Sequence, residues 1–281
     1  INIVINKLNR LATGDFTARI HFDSVFSKHP TVAELTDSFN TMASELEKTE
    51  MLRSDFVNDF SHEFKTPIVS IAGFARLLKN ETLDREQRRE YLNIIEEESL
   101  RLSDMATNVL NLAKVENQQI LSNVSAFNLS EQVRNCFLQL EDKWSGKNLD
   151  ADFDFGEVQI CGNEELLRQV WLNLLDNAVK FTPYGGEVRI KIEEREDSVC
   201  VSVINTGSTV VPENRERIFR KFFQEDRSHS TKGNGIGLAV VRQIVNLHGG
   251  SVWVESGQDC TTFKVLLPKT ADERTGTLKN S

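Results

Sequence analysis

The chain has 281 residues, of which 39% are hydrophobic and 27% charged, and its net charge at pH 7 is −9. This length suggests about two domains, and the acidic balance argues against non-specific binding to nucleic acid or to an anionic membrane surface. No apolar run approaches the roughly 20 residues of a membrane span, and no signal peptide is visible. Because the chain begins with Ile1 rather than Met, we expect a fragment of a longer protein. Its cysteines are far apart and typical of buried thiols in a reducing compartment: Cys136, Cys161, Cys200 and Cys260.

Residues 1–118 carry a helical pattern with almost no strand signal. A short apolar stripe ends at Gly14, and an irregular stretch follows to Pro30. Apolar residues then recur at alternating spacings of three and four, the pattern of a coiled-coil seam. They are Val32, Leu35, Phe39, Met42 and Leu46. No helix breaker follows before Pro67, so we expect one long helix over about 31–79 with a kink at that proline.

His62 lies on the polar face of this predicted helix. At about 100° per residue, one apolar stripe contains Val57, Phe60, Phe64, Ile68, Ile71, Ala75 and Leu78. His62 falls opposite the stripe, with Glu63 and Thr66 beside it. A histidine so placed can react with a large partner. The alternative is an ordinary surface histidine, which is the commoner case when nothing else in the chain requires one.

A second helix is predicted to begin near Asp84, a candidate N-cap. Its apolar face carries Tyr91, Ile95, Leu102, Met105, Val109 and Leu112. Two long antiparallel helices cannot cover both of their apolar faces alone. We therefore expect the hairpin to dimerise into a four-helix bundle.

After about residue 125 the pattern becomes mixed. We predict helices over 128–140, 164–181 and 236–248, the first capped by Asn128 or Ser130. Strands are predicted over 157–161, 187–193, 198–205, 251–256 and 261–267. Neighbouring strands with helices grouped apart indicate an α+β sandwich rather than alternating βαβ units. The polar tail from Lys269 is expected to be frayed.

A glycine-rich turn, Gly233–Leu238, opens the last of these helices. Closely spaced glycines let backbone N–H groups approach a phosphate at a helix N-terminus. Position 238 is Leu, so the dinucleotide fingerprint is not met, and the Gly-Lys-Ser/Thr of a Walker loop is absent. A glycine-rich hinge without a ligand is the alternative.

Asn173, Asn177 and Lys180 share one face of the predicted 164–181 helix. Two amide oxygens suit Mg²⁺ bridging to nucleotide phosphates, and the lysine supplies a compact positive charge. An ordinary polar face is the alternative. The segment 205–207 ends a predicted strand where an adenine could be read, and the aromatic residues between 219 and 223 could be core or the hinge of a lid.

These motifs together resemble those of the sensor histidine kinases of two-component signalling, in order and spacing across about 45–270. The residues that carry the resemblance are Ser61–Pro67 (H box), Asn173–Thr182 (N box), Asn205–Gly207 (first glycine box), Phe219–Phe223 (F box) and Gly233–Leu238 (second glycine box). The first fifty residues resemble a HAMP signal-relay module, most clearly in Gly14–Phe16 and Glu34–Asn40.

The resemblance implies a multidomain chain whose all-α HAMP and helical-hairpin domains precede an α+β sandwich that binds ATP. The implied divisions are 1–48 (HAMP), 49–120 (dimerisation and histidine phosphotransfer), 121–270 (catalytic ATP-binding domain) and 271–281 (flexible tail). It implies a homodimer formed through the hairpin and HAMP, and a response-regulator receiver domain as partner. It also implies a transmembrane segment outside this chain, so that the full-length protein sits at the bacterial cytoplasmic membrane with this fragment on the cytoplasmic side.

The resemblance also assigns roles to residues. His62 would accept the γ-phosphoryl group of ATP on Nε2, and Glu63 would act as general base or hold the Nδ1 proton. Asn177, with Asn173, would hold Mg²⁺. Glu63 and Thr66 also fit a pattern for dephosphorylating the partner, in which Thr66 would orient the attacking water. The nucleotide-binding residues implied are Asn173, Asn177, Lys180, Asn205, Gly207, Phe219, Phe222, Lys232, Gly233, Gly235, Gly237 and Leu238.

The sequence departs from the family pattern at several positions. Asn205 stands where the family carries Asp, Thr209 where it carries a second glycine, Gln224 where an arginine is common, and Val4 where HAMP has proline. An amide oxygen can accept from the adenine amino group without the charge-assisted strength of a carboxylate, so weaker or slower nucleotide exchange is a hypothesis. The residues that could replace the arginine are Lys221, Arg227 and Lys232.

Three functions follow from these observations. The first is an active dimeric histidine kinase. The second is a protein of the same fold that acts mainly as a phosphatase or a binding scaffold, because its first glycine box is weakened. The third is an ATPase of the related gyrase and chaperone group, which shares the N and glycine boxes but has no exposed histidine helix like that around His62.

Overall fold

The computed structural model describes residues 2–22, 29–79, 83–118, 120–224, 235–257 and 259–270. The chain divides into two compact units, Ile1–Thr66 and Pro67–Ser281. Lys232, Gly233, Arg227 and the predicted tail over 271–281 lie outside the described residues.

The first unit contains helix α1 (Asn2–Ala12) and most of helix α2 (Pro30–Leu77). Its small core consists of Leu11, Ile20, Phe39 and Ala43, with Val4, Phe16 and Phe22 packed against it. The Asn40 side chain holds the connecting segment by accepting from the N–H of Ile20 at 2.8 Å and donating to its carbonyl at 3.0 Å. The Asn40 amide thus supplies the two hydrogen bonds that regular secondary structure would give to the backbone of Ile20.

The predicted single long helix is confirmed, because α2 continues through Pro67 and ends at Leu77. Proline removes the N–H that would bond to the carbonyl of Glu63. Most of the predicted seam is exposed in the single chain: Leu35, Met42 and Leu46 are 49%, 44% and 38% exposed, and only Phe39 is buried. Apolar residues in this arrangement match what a bundle partner would cover, and dimerisation stays a prediction.

The second unit begins with the end of α2 and with helix α3 (Arg85–Glu116). Asp84 is the N-cap, as predicted, and forms a capping box with Gln87. Met105 and Leu112, which the sequence assigns to the bundle face, are buried together with Val115 within the single chain, and α3 packs against helix α7 (Gly237–Leu247).

The predicted α+β sandwich follows. Its helices are α4 (Leu129–Leu138), α5 (Glu141–Gly146), α6 (Glu164–Phe181) and α7. Its strands are β1 (Ser125–Asn128), β2 (Asp150–Asp154), β3 (Gln159–Gly162), β4 (Glu187–Glu194), β5 (Ser198–Thr206), β6 (Ser251–Ser256) and β7 (Cys260–Pro268). β1 and β3 form a small antiparallel pair, and the main sheet has the order β2-β4-β5-β7-β6.

Alternation along the main strands places the core between the sheet and the helices. Cross-strand neighbours such as Val203 with Phe263 and Val201 with Val265 are buried, as the two-residue period of a strand requires. The helices supply the other side of this core from one face each, most heavily from α6 through Leu167, Val170, Trp171, Leu174, Leu175, Ala178 and Val179.

Strand β2 was not predicted, and it gives the sheet one parallel pair, with β4. Its sequence Asp-Ala-Asp-Phe-Asp is poor in strand-forming residues. Pairing stabilises it from outside: Arg189 of β4 binds Asp152 at 2.7 Å and Lys191 binds Asp154 at 3.0 Å. Strand β1 and helix α5 were also missed, because four to six residues are too few to show a period.

His248 joins the end of α7 to the start of α6. The side chain is 2% exposed, Nε2 accepts from the Asn163 N–H at 3.1 Å, and Nδ1 donates to the Ile244 carbonyl at 2.8 Å. Since a backbone N–H can only donate, Nε2 must be unprotonated and the Nδ1 tautomer is fixed. Burial lowers the pKa of His248, only partly opposed by the bond to Ile244.

We therefore expect His248 to make the second unit less stable in acid. Its folded pKa lies below the ordinary value of about 6.5, so its contribution is complete above pH 6.5 and is lost as the pH falls towards the folded pKa. Urea unfolding at pH 7.5 and 5.5 should show the wild type losing about 1 kcal/mol more than His248→Gln. The exposed His21→Gln is the control, and equal losses in all three proteins would contradict this assignment.

Candidate functional site

His62 is exposed on α2, as the helical projection predicts, while Glu63 and Thr66 are half-buried. The Thr66 hydroxyl donates to the His62 carbonyl at 3.2 Å, one turn below the imidazole. The ring of Phe64 lies 4.3 Å from that of Phe60, between centroids, on the apolar side. The local geometry therefore presents an accessible imidazole with a carboxyl and a hydroxyl on adjacent turns.

The N-box residues lie where the sequence places them, on the half-buried face of α6 opposite its core face. Asn173 donates through Nδ2 to the Gln169 carbonyl at 2.9 Å. This bond orients the amide, so that Oδ1 points towards Gly237, where an added Cβ would lie only 2.7 Å from it. The fold thus brings the N-box face and the start of α7 into contact.

Lys180 lies near the end of the same face. Burial lowers the pKa of Lys180; Asp176 opposes this shift, and the nearby positive charges of Arg101 and Lys147 add to it. Its Nζ also lies 4.6 Å from the centroid of the Phe181 ring. A partly desolvated ammonium among like charges is favourable for binding an anion, because an anion relieves both effects.

The N-terminus of α7 has the features of an anion site. Among the described residues it has no side-chain cap, and no acidic residue lies in its first turn. By contrast, α3, α4 and α6 are capped by Asp84, Asn128 and Asn163. Within the described part of the chain, no side chain caps the first N–H groups of α7, and they can donate to an external acceptor.

Gly235 allows this turn to approach the aromatic segment. Its φ is +63°, and an added Cβ would lie 2.7–2.9 Å from backbone atoms of Phe222 and Phe223. The Phe222 N–H donates to the Gly235 carbonyl at 2.8 Å, and Phe222 itself has a φ of 59°. Phe219 and Phe222 are both buried, and Phe219 meets Phe263 edge to face, so both are core residues that also hold this turn.

The end of β5 forms another wall of the site. Asn205 is 1% exposed and donates through Nδ2 to the Ser208 hydroxyl at 2.7 Å, and the oxygen of its amide is a hydrogen-bond acceptor. Gly207 has a φ of +76°, and an added Cβ would lie 2.5 Å from the Pro183 ring. The first glycine box thus rests on the residues that follow α6.

Sequence reasoning missed Pro183 and Ser208 as parts of this wall. The run Pro183-Tyr-Gly-Gly186 signals a turn, but its contact with Gly207 depends on the pairing of β4 with β5 and has no local signal. Leu238 is half-buried. Lys232 and Gly233 lie outside the described residues.

Two family models match the chain. Residues 52–118 match the His Kinase A (phospho-acceptor) domain, and residues 162–271 match the histidine kinase-, DNA gyrase B- and HSP90-like ATPase. The first contains His62, and the second contains every proposed nucleotide-binding residue.

Curated relatives cover nearly the whole chain. The sensor histidine kinase CusS of Escherichia coli is 29% identical over 270 residues, which are 95% of this chain and 56% of the relative. The heme sensor protein HssS of Staphylococcus aureus is 29% identical over 260 residues, 92% of this chain and 55% of the relative. The chain therefore spans about half the length of the curated relatives it matches.

Solved structures agree with the fold. The histidine kinase ThkA in complex with the response regulator protein TrrA is 29% identical, with a TM-score of 0.69 over 81% of this chain and 65% of that chain. Full-length ShkA in complex with AMPPNP is 30% identical, with a TM-score of 0.55 over 80% of this chain and 46% of that chain.

Gly235→Ala should weaken binding of adenine nucleotides by about tenfold or more, because the Cβ would strain the backbone at φ +63° and displace Phe222 from the turn. Calorimetric titration of the chain with ATP and Mg²⁺ measures this. Gly156→Ala is the matched control, since nothing lies within 4 Å of its added Cβ. Equal affinities for the two variants would show that the turn does not contact the ligand.

Proposed function

Because this chain belongs to the sensor histidine kinases, we propose that it transfers the γ-phosphoryl group of ATP to His62 and then to an aspartate of a response regulator. The observation that carries the proposal is that the same chain has an exposed His62 and an α7 N-terminus that faces Asn173 and is capped by none of the described side chains. The first can act as a phosphoryl acceptor, and the second can hold the phosphates of the donor.

The ATP-binding residues act through position and charge. Backbone N–H groups at Gly235 and Gly237 and the ammonium of Lys180 bind phosphate oxygens. The Asn205 oxygen accepts from the adenine amino group, without the charge assistance of a carboxylate. Phosphoryl transfer depends mainly on such positioning and electrostatic stabilisation.

The N-box amides fit a magnesium ion. The Asn173 oxygen is directed at the phosphate-binding turn by the bond from its own Nδ2 to Gln169, and Asn177 follows one turn later. Among the described residues no cluster of three or more His, Cys, Asp or Glu side chains is placed to hold a metal, so the ion would depend on amide and phosphate oxygens, a common arrangement for Mg²⁺. Bound there, Mg²⁺ would neutralise charge on the β- and γ-phosphates.

At His62 the unprotonated Nε2 attacks the γ-phosphorus. An N–P bond forms as the bond from phosphorus to the β–γ bridging oxygen breaks, and ADP leaves with that electron pair. Glu63 holds the Nδ1 proton during the attack and accepts it as positive charge develops on the ring. The N–P bond then breaks as the phosphoryl group passes to a carboxylate oxygen of the regulator, and Glu63 returns the proton to Nδ1, which leaves His62 neutral.

The proposed partners are a receiver domain and a second copy of this chain. The structure of ThkA with TrrA supports a receiver domain as the acceptor. The exposed seam residues of α2 support dimerisation through a HAMP module over 1–48, and the exposed Val57, Ile68 and Leu92 support dimerisation through the hairpin. Among the described residues, no helix is both long and apolar enough to cross a membrane. We place the full-length protein at the bacterial cytoplasmic membrane, by likeness to the sensor kinases, with this portion on the cytoplasmic side.

Dephosphorylation of the regulator is a second candidate activity. Thr66 is held one turn from His62 by the bond to the His62 carbonyl, where its hydroxyl oxygen can orient a water molecule towards a phosphoaspartate docked on the helix. Glu63 lies on the same turn and can accept a proton from that water.

Incubation with γ-labelled ATP tests the main proposal. We expect acid-labile label on the wild type and none on His62→Gln, while the control His29→Gln is labelled like the wild type. No label with intact dephosphorylation of a phosphorylated regulator would favour the phosphatase or scaffold function. Steady release of phosphate without label would favour an ATPase of the gyrase and chaperone group.

Thr66→Ala should slow dephosphorylation of a phosphorylated regulator by about tenfold or more, and leave the initial rate of His62 labelling within about twofold. Thr49→Ala is a matched control, because the Thr49 hydroxyl also bonds to the carbonyl four residues earlier, at 2.7 Å, on the same helix. Equal effects of both substitutions would indicate a change in helix stability and count against a role for Thr66 in the reaction.

A further inference from the structure

The C-terminus of α6 ends in an unusual way. Its C-cap, Thr182, has an extended backbone with φ −73° and ψ 130°, so the left-handed glycine cap that commonly satisfies the last carbonyls is missing. The Ala178 carbonyl accepts from the N–H and the hydroxyl of Thr182, at 3.0 and 2.6 Å. The next carbonyls of the helix need other donors.

Lys147 supplies them. Its Nζ donates to the carbonyls of Val179, Lys180 and Thr182, at 2.9, 2.7 and 2.9 Å. These three bonds use all three protons of the ammonium group. The positive charge also lies at the negative end of the α6 dipole, where it is stabilising. No neutral side chain offers three donors from one atom.

The backbone of Lys147 holds the residues that follow α6. Its carbonyl accepts from the Gly185 N–H at 3.0 Å, and the Gly186 carbonyl accepts from the N–H of Asp150 at 2.9 Å. Pro183 lies between Thr182, which the Lys147 ammonium holds, and Gly185, which the Lys147 carbonyl holds. The Pro183 ring packs against Gly207 of the first glycine box. Lys147 thus fixes one end of the N-box helix and the support of the adenine wall together.

We propose that Lys147 is a positioning residue for the nucleotide site, which holds Lys180 and the Pro183–Gly207 contact in the geometry that binds ATP. This inference rests on the proposed ATP-binding function. Without the ammonium, the Val179 and Lys180 carbonyls lose their donors and the last turn of α6 opens. Lys180 lies in that turn, and Pro183 follows it directly, so both parts of the site shift.

The test compares Lys147→Met with Lys147→Arg. Lys147→Met should raise the Kd for ATP and the KM for ATP in His62 labelling by about tenfold or more, and leave kcat at saturating ATP within about twofold. Lys147→Arg, which keeps the charge and several N–H donors, should restore the Kd to within about threefold of the wild type. The control is Lys143→Met, since Lys143 meets α6 through an exposed ion pair with Asp176 at 2.6 Å.

The possible outcomes distinguish a failure of the proposed function from a failure of the proposed role of Lys147. A wild type that binds no ATP would overturn the proposed function itself. A wild type that binds ATP, with Lys147→Met equal to it in affinity, would overturn the role of Lys147. If Lys147→Met does not fold, Lys147→Gln takes its place; failure of both neutral variants to fold, at a temperature where Lys143→Met is folded, would show a purely structural role and also overturn the inference.

Discussion

Helix α6 must bury one face in the core while the opposite face stays available to a ligand. The packing of the rest of the second unit satisfies this constraint. One face buries Trp171, Leu174 and their neighbours, while the half-buried opposite face carries Asn173, Asn177 and Lys180, the residues proposed to meet the nucleotide. A rotation of the helix by one residue, about 100°, would bury the amides and expose the core. Both ends are therefore fixed from outside: the Asn163 N-cap through His248, and the last carbonyls through Lys147.

Much of helix α6 and of the main sheet can be predicted from the sequence, because these elements depend on local sequence patterns. α6 was predicted with its observed bounds, 164–181, from its helical pattern, and the structure adds Asn163 as its N-cap. Period-two alternation likewise gave β4, β5, β6 and β7 to within one residue at either end. The same helical period puts Asn173, Asn177 and Lys180 on one face.

The features that escaped prediction depend on contacts between distant parts of the chain. β2 is a strand only because β4 supplies its backbone partners and its counter-ions. His248 and Asn163 are 85 residues apart in sequence. In the sequence alone, Lys147 cannot be distinguished from an ordinary surface lysine, because its role depends on its contacts with α6. Side chains that orient a site from behind have no spacing signature, because their partners are backbone carbonyls and N–H groups, which every residue possesses.

The bond between the Phe222 N–H and the Gly235 carbonyl bears on how far the number of residues between them can change. It joins Phe222 to Gly235 directly, so the residue that leads into α7 is held by this bond whatever that number is. Loop closure becomes costlier only with the logarithm of length, by roughly 0.6 kcal/mol for each doubling. Changes in the number of residues between Phe222 and Gly235 should therefore cost little stability.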